Sequence, residues 1–223
     1  RLAAYPPGKG DITNMIRSYI HRCQKDGVKI VMNCEVTPEL IKEEKPDSVI
    51  IATGSKTLIL PIEGIDNPAI IHGSDLLDGK RPAGKKVLVV GGGMVGCETA
   101  AFLGEQEHDV TVIEFRDTVG ADVIHEHRVY LMKDFEDYGI KEITGAKVCK
   151  FYEDGVEYET ADGVRHETRG YDSVILSMGF RNYNPLEEKI KDLVPETHVI
   201  GDAIRARRAL DATKEAYEVA SRL

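Results

Sequence analysis

At 223 residues with 42% hydrophobic side chains, the chain has enough apolar material for one large or two small cores. A formal net charge of −9, with Arg205-Ala206-Arg207-Arg208 as the densest cationic run, argues against nucleic acid or an anionic membrane surface as a partner. No apolar run approaches the roughly 18 residues of a membrane span, and Cys23, Cys34, Cys97 and Cys149 have neither Cys-x-x-Cys, metal-knuckle nor disulfide-framework spacing, which points to a reducing, cytoplasmic compartment.

In chain order, residues 11 to 26 read as a helix with Ile12, Met15, Ile16, Tyr19, Ile20 and Cys23 on one face, capped by Asp11 and ended by Gly27. A strand over Val28-Lys29-Ile30-Val31-Met32 follows, then a second over residues 48 to 52 that runs into Thr53-Gly54. Pro61, Gly64, Asn67-Pro68 and Gly73 punctuate a loop, and a domain boundary is placed near residue 60.

From Lys86 the pattern is strand (87 to 90), glycine turn, helix (94 to 107) and strand (110 to 114), a parallel crossover unit. A helix with Ile124, Leu131, Phe135 and Tyr138 inward stops at Gly139. Three short strands over 147 to 152, 156 to 160 and 164 to 168, joined at Asp154-Gly155 and Asp162-Gly163, form an antiparallel meander inserted into the parallel sheet. Strands over 173 to 177 and 198 to 200 lead to a last helix with a small-residue face of Ala209, Ala212, Ala216, Val219 and Ala220. The fold class is α/β: a Rossmann-like, three-layer parallel sheet domain over 61 to 180, flanked by segments 1 to 60 and 181 to 223.

Gly91-Gly92-Gly93-Met94-Val95-Gly96 follows an apolar strand and opens a helix, the context that gives a glycine fingerprint its meaning. Gly91 serves the tight turn, Gly93 the approach of a pyrophosphate, Gly96 close packing of helix on strand, and the N–H groups of Met94 and Val95 face the phosphates. Glu114, 18 residues after Gly96, is placed to accept from the adenosine ribose hydroxyls, which favours NAD(H) over NADP(H). Arg116 is dissonant, because an Arg there can accommodate a 2′-phosphate. A βαβ unit with incidental glycines and a solvated Glu114 is the structural alternative.

Four segments in order, Ala52-Thr53-Gly54, the fingerprint with Cys97-Glu98 behind it, Leu176-Ser177-Met178-Gly179 and Ile200-Gly201-Asp202-Ala203, resemble the two-dinucleotide-binding-domain flavoproteins. With the opening Leu2-Ala3-Ala4-Tyr5-Pro6-Pro7-Gly8-Lys9 and the ending from Gly201 through Arg208, the chain resembles the C-terminal part of the old-yellow-enzyme-like NADH:flavin oxidoreductases. That group includes 2,4-dienoyl-CoA reductase and enoate reductases. The resemblance implies an FAD-binding domain made of 1 to 60 and 181 to 223, with an NAD-binding domain over 61 to 180 between them. Thr53, Gly54, Gly201 and Asp202 would lie along the FAD, and the last helix would aim its N-terminus, near Arg207 or Arg208, at the flavin. Gly179 would border the NAD, and Glu98 would stand near nicotinamide and flavin, against the alternative of a carboxylate favoured only by the helix dipole.

The family's first glycine fingerprint is not in this sequence, so the FAD domain is expected to be an incomplete remnant with weak or absent FAD affinity. A chain that opens on Arg1 is expected to be a piece of a longer polypeptide, its FMN-bearing TIM barrel and 4Fe-4S cluster lying upstream. The implied activity is hydride transfer from NADH to FAD and onward to reduce an activated alkene of the enoyl- or dienoyl-CoA type, the isolated chain being inactive and open to self-association. Two alternatives remain: a non-catalytic dinucleotide-binding module, or part of a pyridine nucleotide-disulfide reductase. His125-Glu126-His127 reads as a solvated helix start and Cys97 as a packing residue, so no metal is expected.

Overall fold

The computed structural model describes Ala4, Pro6 and residues 9–223. Leu2, Ala3, Tyr5, Pro7 and Gly8 of the opening segment lie outside the described residues. In chain order the elements are α1 (Ile12–Lys25), α2 (Pro38–Glu44), β1 (Ser48–Ile51), β2 (Ser55–Thr57), β3 (Ile71–His72), α3 (Gly73–Leu77), β4 (Lys86–Val90), α4 (Met94–Glu105) and β5 (Asp109–Ile113). There follow α5 (His125–Asp137), β6 (Lys141–Ile143), β7 (Lys147–Tyr152), β8 (Gly155–Glu159), β9 (Arg165–Thr168), β10 (Ser173–Leu176), β11 (Phe180–Asn182), α6 (Glu187–Ile190), β12 (Glu196–Val199) and α7 (Ala209–Ala220).

Contacts divide the chain into two units: the described residues up to Val28 with Ile59–Gly179, and Lys29–Leu58 with Phe180–Leu223. Helix α1 therefore groups with the glycine-turn unit, whereas the sequence division left it with the segment through residue 60. Lys9, just ahead of the helix, is tied by an ion pair to Glu98 of α4.

The first unit is built on a five-stranded sheet of order β3-β10-β4-β5-β6, parallel at every pairing. Its central strands are apolar at consecutive positions because both faces are covered. On one face Val87, Val89, Val110, Val112 and Ile175 pack with Cys97, Ala100, Leu103, Leu131 and Phe135 of α4 and α5. On the other, Leu88, Val90, Val174 and Leu176 pack with Phe151 and Val156 of the antiparallel β7-β8-β9 meander. The result is three layers of helix, parallel sheet and meander.

Local chemistry sets the finer features. The β7–β8 turn falls on Glu153-Asp154 rather than the expected Asp154-Gly155, because Tyr152 pairs with Gly155. A Cβ on Gly155 would stand 2.0 Å from the Thr168 carbonyl oxygen, so Gly155 is needed within the strand and not in the turn. The other tip behaves as expected: Gly163 has φ +79°, and Asp162 accepts from Thr160 Oγ1 at 2.6 Å.

Further expectations fail. Residues 28 to 32 form no strand, and Val28, Ile30, Val31 and Met32 are exposed. The segment has a strand's composition, yet no neighbouring strand among the described residues supplies the ladder a strand requires. For the same reason the apolar stripe of α1 is uncovered: Met15, Ile16, Tyr19 and Ile20 are all at least 41% exposed. Asp11 makes no side-chain cap there. Ile124 and Tyr138, expected to face inward from α5, are also exposed, leaving Leu131 and Phe135 as its buried anchors.

The second unit contains the parallel pair β1–β12, in register from Ser48↔Glu196 to Ile51↔Val199, and the antiparallel pair β2–β11. Ile41, Ile51, Leu186, Ile190 and Val194 form its small core. Helix α7 has no buried residue; Ala212, Ala216 and Val219 of its small face are half-buried, while Ala209 and Ala220 are exposed.

Candidate dinucleotide site

The strand order reverses beside β4: the chain runs outward through β5 and β6, then returns through β10 on the other side. Open parallel sheets bind ligands at the carboxyl ends of the strands at such a switch point. Residues 91 to 96 occupy that point. Gly91 has φ +105°, a conformation that L side chains rarely adopt, and a Cβ there would stand 2.4 Å from the Ser177 carbonyl oxygen. A Cβ on Gly96 would stand 1.8 Å from the Gly91 carbonyl oxygen, so only glycine lets α4 descend this close to the turn. Gly93 is the N-cap of α4 and carries no side-chain cap of its own. Met94 and Val95 are half-buried and open the helix, whose first N–H groups lack intrahelical acceptors.

Glu114 follows β5 directly, and its carboxylate reaches back to the turn. Oε2 accepts from the Gly92 N–H at 2.6 Å and Oε1 from the Arg116 N–H at 3.0 Å. The acidic side chain is thus fixed at the rim of the glycine turn, with lone pairs left for further donors. Arg116 is exposed. On the other side of β4, the Ser177 N–H donates to the Val90 carbonyl at 2.8 Å, and Gly179 has φ +99° with open space where a side chain would stand.

Glu98 opens the second turn of α4 rather than sitting in the first. Its side chain is 9% exposed and forms an ion pair with Lys9. It is therefore not a solvated dipole partner: a carboxylate withdrawn from water has been given a cation from the opening segment. Cys97 lies in the core with its thiol 3.2 Å from the Gly92 carbonyl oxygen, and burial pushes its pKa up to about 12, which removes it from thiolate chemistry. Among the described residues no group of His, Cys, Asp or Glu side chains is arranged to hold a metal ion.

In the second unit, β1 and β12 are parallel and end at the same level, so Thr53-Gly54 and Gly201-Asp202 emerge at one edge. The Thr53 hydroxyl donates to the Tyr183 carbonyl, and Gly54 (φ +76°) has open space above it. Asp202 accepts from the Ser55 hydroxyl at 3.1 Å and from the Arg207 N–H at 3.0 Å, so it organises the loop ahead of α7 rather than capping that helix. Arg208 is the N-cap residue of α7, and its N–H donates to Asp211 at 3.2 Å. Glu215 accepts from the Gly201 N–H at 2.7 Å and pairs with Arg207, contacts that hold its carboxyl below the usual range.

Residues 10–200 match the family model described as pyridine nucleotide-disulphide oxidoreductase. The chain belongs to that family. Membership places the chain among the FAD- and NAD(P)-binding modules of oxidoreductases. Similar curated proteins are the cinnamate reductase of Clostridium sporogenes (29% identical over 98% of this chain and 33% of the relative) and the NADH oxidase of Thermoanaerobacter brockii (31% identical, 98% and 34%). The solved structure of a 2-naphthoyl-CoA reductase in complex with 2-naphthoyl-CoA matches all of the chain and 34% of its own length, with 30% identity and a TM-score of 0.91. The chain thus spans about one third of the length of these relatives.

The contacts that two residues of this module make with α4 escaped sequence reading. Lys9 is a lone cation with no periodic pattern to mark it. Asp122 comes close to the start of α4, and its only sequence signal was an acidic residue in the Gly120-containing loop after Glu114. No helix among the described residues is long and apolar enough to cross a membrane.

Proposed function

We propose that this chain is the NADH-reading part of a flavin-dependent reductase. The observation that carries the reading is Glu114, a carboxylate hydrogen-bonded to the glycine turn itself. From that position it accepts from both ribose hydroxyls of an adenosine, and a 2′-phosphate in the same place meets its negative charge. The turn Gly91–Gly96 takes the pyrophosphate on backbone N–H groups, and Gly179 leaves room for the other half of the dinucleotide on the β10 side. Thr53, Gly54, Gly201, Asp202 and Arg208 are the residues of the second unit that would hold FAD, which when bound supplies a hydride acceptor for NADH. Glu98, desolvated and neutralised by Lys9, is the candidate positioning residue at the nicotinamide.

The names of the relatives support reduction of a conjugated substrate, an aryl acrylate or an aromatic thioester, as the activity of the whole protein. In this reading the acceptor is an activated alkene of the enoyl-CoA type, reduced in an upstream FMN and iron–sulfur part that the chain does not span. A disulfide-reducing role draws no support from Cys23, Cys34, Cys97 and Cys149, all free thiols.

Calorimetric titration of the chain with NADH and with NADPH tests the cofactor assignment. Tighter binding of NADH is expected. Preference for NADPH assigns the rim of the site to Arg116 instead of Glu114, and binding of neither overturns the dinucleotide reading.

A further inference from the structure

Pyrophosphate approach demands a bare glycine at position 93, and that glycine deprives α4 of the Ser, Thr or Asp that would ordinarily cap its first N–H groups. The chain supplies the missing acceptor from elsewhere. Asp122 Oδ1 accepts from the Met94 N–H at 2.9 Å, and a Cβ placed on Gly93 would stand 3.3 Å from Asp122 Oδ2. Both carboxylate oxygens therefore lie where the positive end of α4 and its unpaired N–H groups favour an anion. The loop that brings Asp122 there is pinned: the Gly120 N–H donates to the Gly92 carbonyl at 2.7 Å, and Arg128 Nη2 donates to Thr118 Oγ1 at 2.9 Å and to the Val119 carbonyl at 3.2 Å.

We propose that Asp122 is an internal substitute for the dinucleotide pyrophosphate: it caps α4 in the free protein and is displaced when NADH binds. The inference rests on the dinucleotide reading of residues 91–96. A carboxylate and a doubly charged pyrophosphate cannot share the same few ångströms without repulsion. Unit charges about 4 Å apart near a protein surface repel strongly enough to change an affinity several-fold or more. Asp122 thus holds NADH affinity below what the glycine turn alone would give, and its return to Met94 speeds release.

The test is a pair of measurements, thermal unfolding of the free chain and calorimetric titration with NADH, on the unsubstituted chain, Asp122→Ala and Asp122→Asn. Asp122→Ala removes the cap and is expected to lower the Tm by about 2–4 °C, the worth of one cap in a domain of this size. It is also expected to tighten NADH binding by roughly three- to tenfold, as the removal of one nearby like charge implies. Asp122→Asn keeps an acceptor, so its Tm stays near that of the unsubstituted chain while NADH still binds tighter. The affinity gap between Asp122→Asn and the unsubstituted chain narrows as salt is raised. A purely structural cap lowers the Tm of Asp122→Ala in the same way but leaves NADH affinity unchanged or weakened in both variants, and that result overturns the proposal while leaving the dinucleotide reading intact. Failure of all three chains to bind NADH overturns both.

Discussion

Gly96 lies so close beneath Gly91 that a Cβ on the first would stand 1.8 Å from the carbonyl oxygen of the second. The obstacle is backbone, not the movable end of a side chain, so the start of α4 would have to lift away from β4. Gly96→Ala is therefore expected to destabilise the first unit by about 1–3 kcal/mol, the cost of overpacking a tight core contact. It should also displace the N–H groups that would receive the pyrophosphate in the proposed site. Chemical denaturation and NADH titration of the same variant read both effects; a chain that retains full stability and affinity contradicts the close contact.

In the proposed site, Glu114 would discriminate between the two cofactors through one carboxylate. Glu114→Ala is expected to weaken NADH by roughly tenfold, the worth of hydrogen bonds to a charged group. NADPH should improve in the same variant, because Arg116 then faces the 2′-phosphate unopposed. The ratio of the two dissociation constants decides this, and an unchanged ratio removes Glu114 from cofactor selection.

The Lys9–Glu98 pair can be assessed by breaking it from either side. Glu98 is nearly buried and Lys9 about a quarter exposed, so the loss is smaller than the roughly 3–5 kcal/mol of a fully buried pair. Lys9→Met leaves a carboxylate in the interior without its cation and is expected to cost about 1–3 kcal/mol in urea unfolding. Adding Glu98→Leu should recover most of that stability. If recovery is complete, the pair is not kept for stability, which favours the proposed positioning role of Glu98 at the nicotinamide.

The uncovered stripe of α1 predicts concentration-dependent association. Met15, Ile16, Tyr19 and Ile20 form a contiguous apolar face of the sort that marks an interaction surface. Sedimentation of the chain is expected to show a rising average mass with concentration, and Ile16→Lys with Ile20→Glu to restore a single mass. A monomer mass independent of concentration in the unsubstituted chain rules this out.

Much of the first unit was legible in the sequence because its signals are local and its layers complete. The β4–turn–α4–β5 stretch was placed to within about two residues, since valine runs, the glycine turn and helical spacing all agree there. Turn residues at Asp162-Gly163 located the meander for the same reason. Signals that depend on a partner misled: residues 28 to 32 and the face of α1 have the apolar pattern of packed elements and find no packing among the described residues. Short elements such as β3, β6 and α2 carry too few residues for a period to show. Of the site, the glycines and Glu114 could be read from spacing, whereas Lys9 and Asp122 reach α4 only through tertiary closure, which no linear pattern encodes.

The parallel pairing of β4 with β10 has a consequence for how the protein is made. Val87 aligns with Ser173, so the strand that leads into the glycine turn acquires its second neighbour only after the whole meander has been synthesised. Contacts between such distant segments form slowly and late. A ribosome paused within the meander would leave one side of β4 exposed as an open edge, a template for wrong pairings. The wall of the cradle formed by Ser177 and Met178 is among the last parts to arrive. Nascent chains stalled so that residues 173–176 are still inside the ribosome, or have already emerged from it, should differ sharply in protease resistance, the longer one alone being able to close the sheet around the glycine turn.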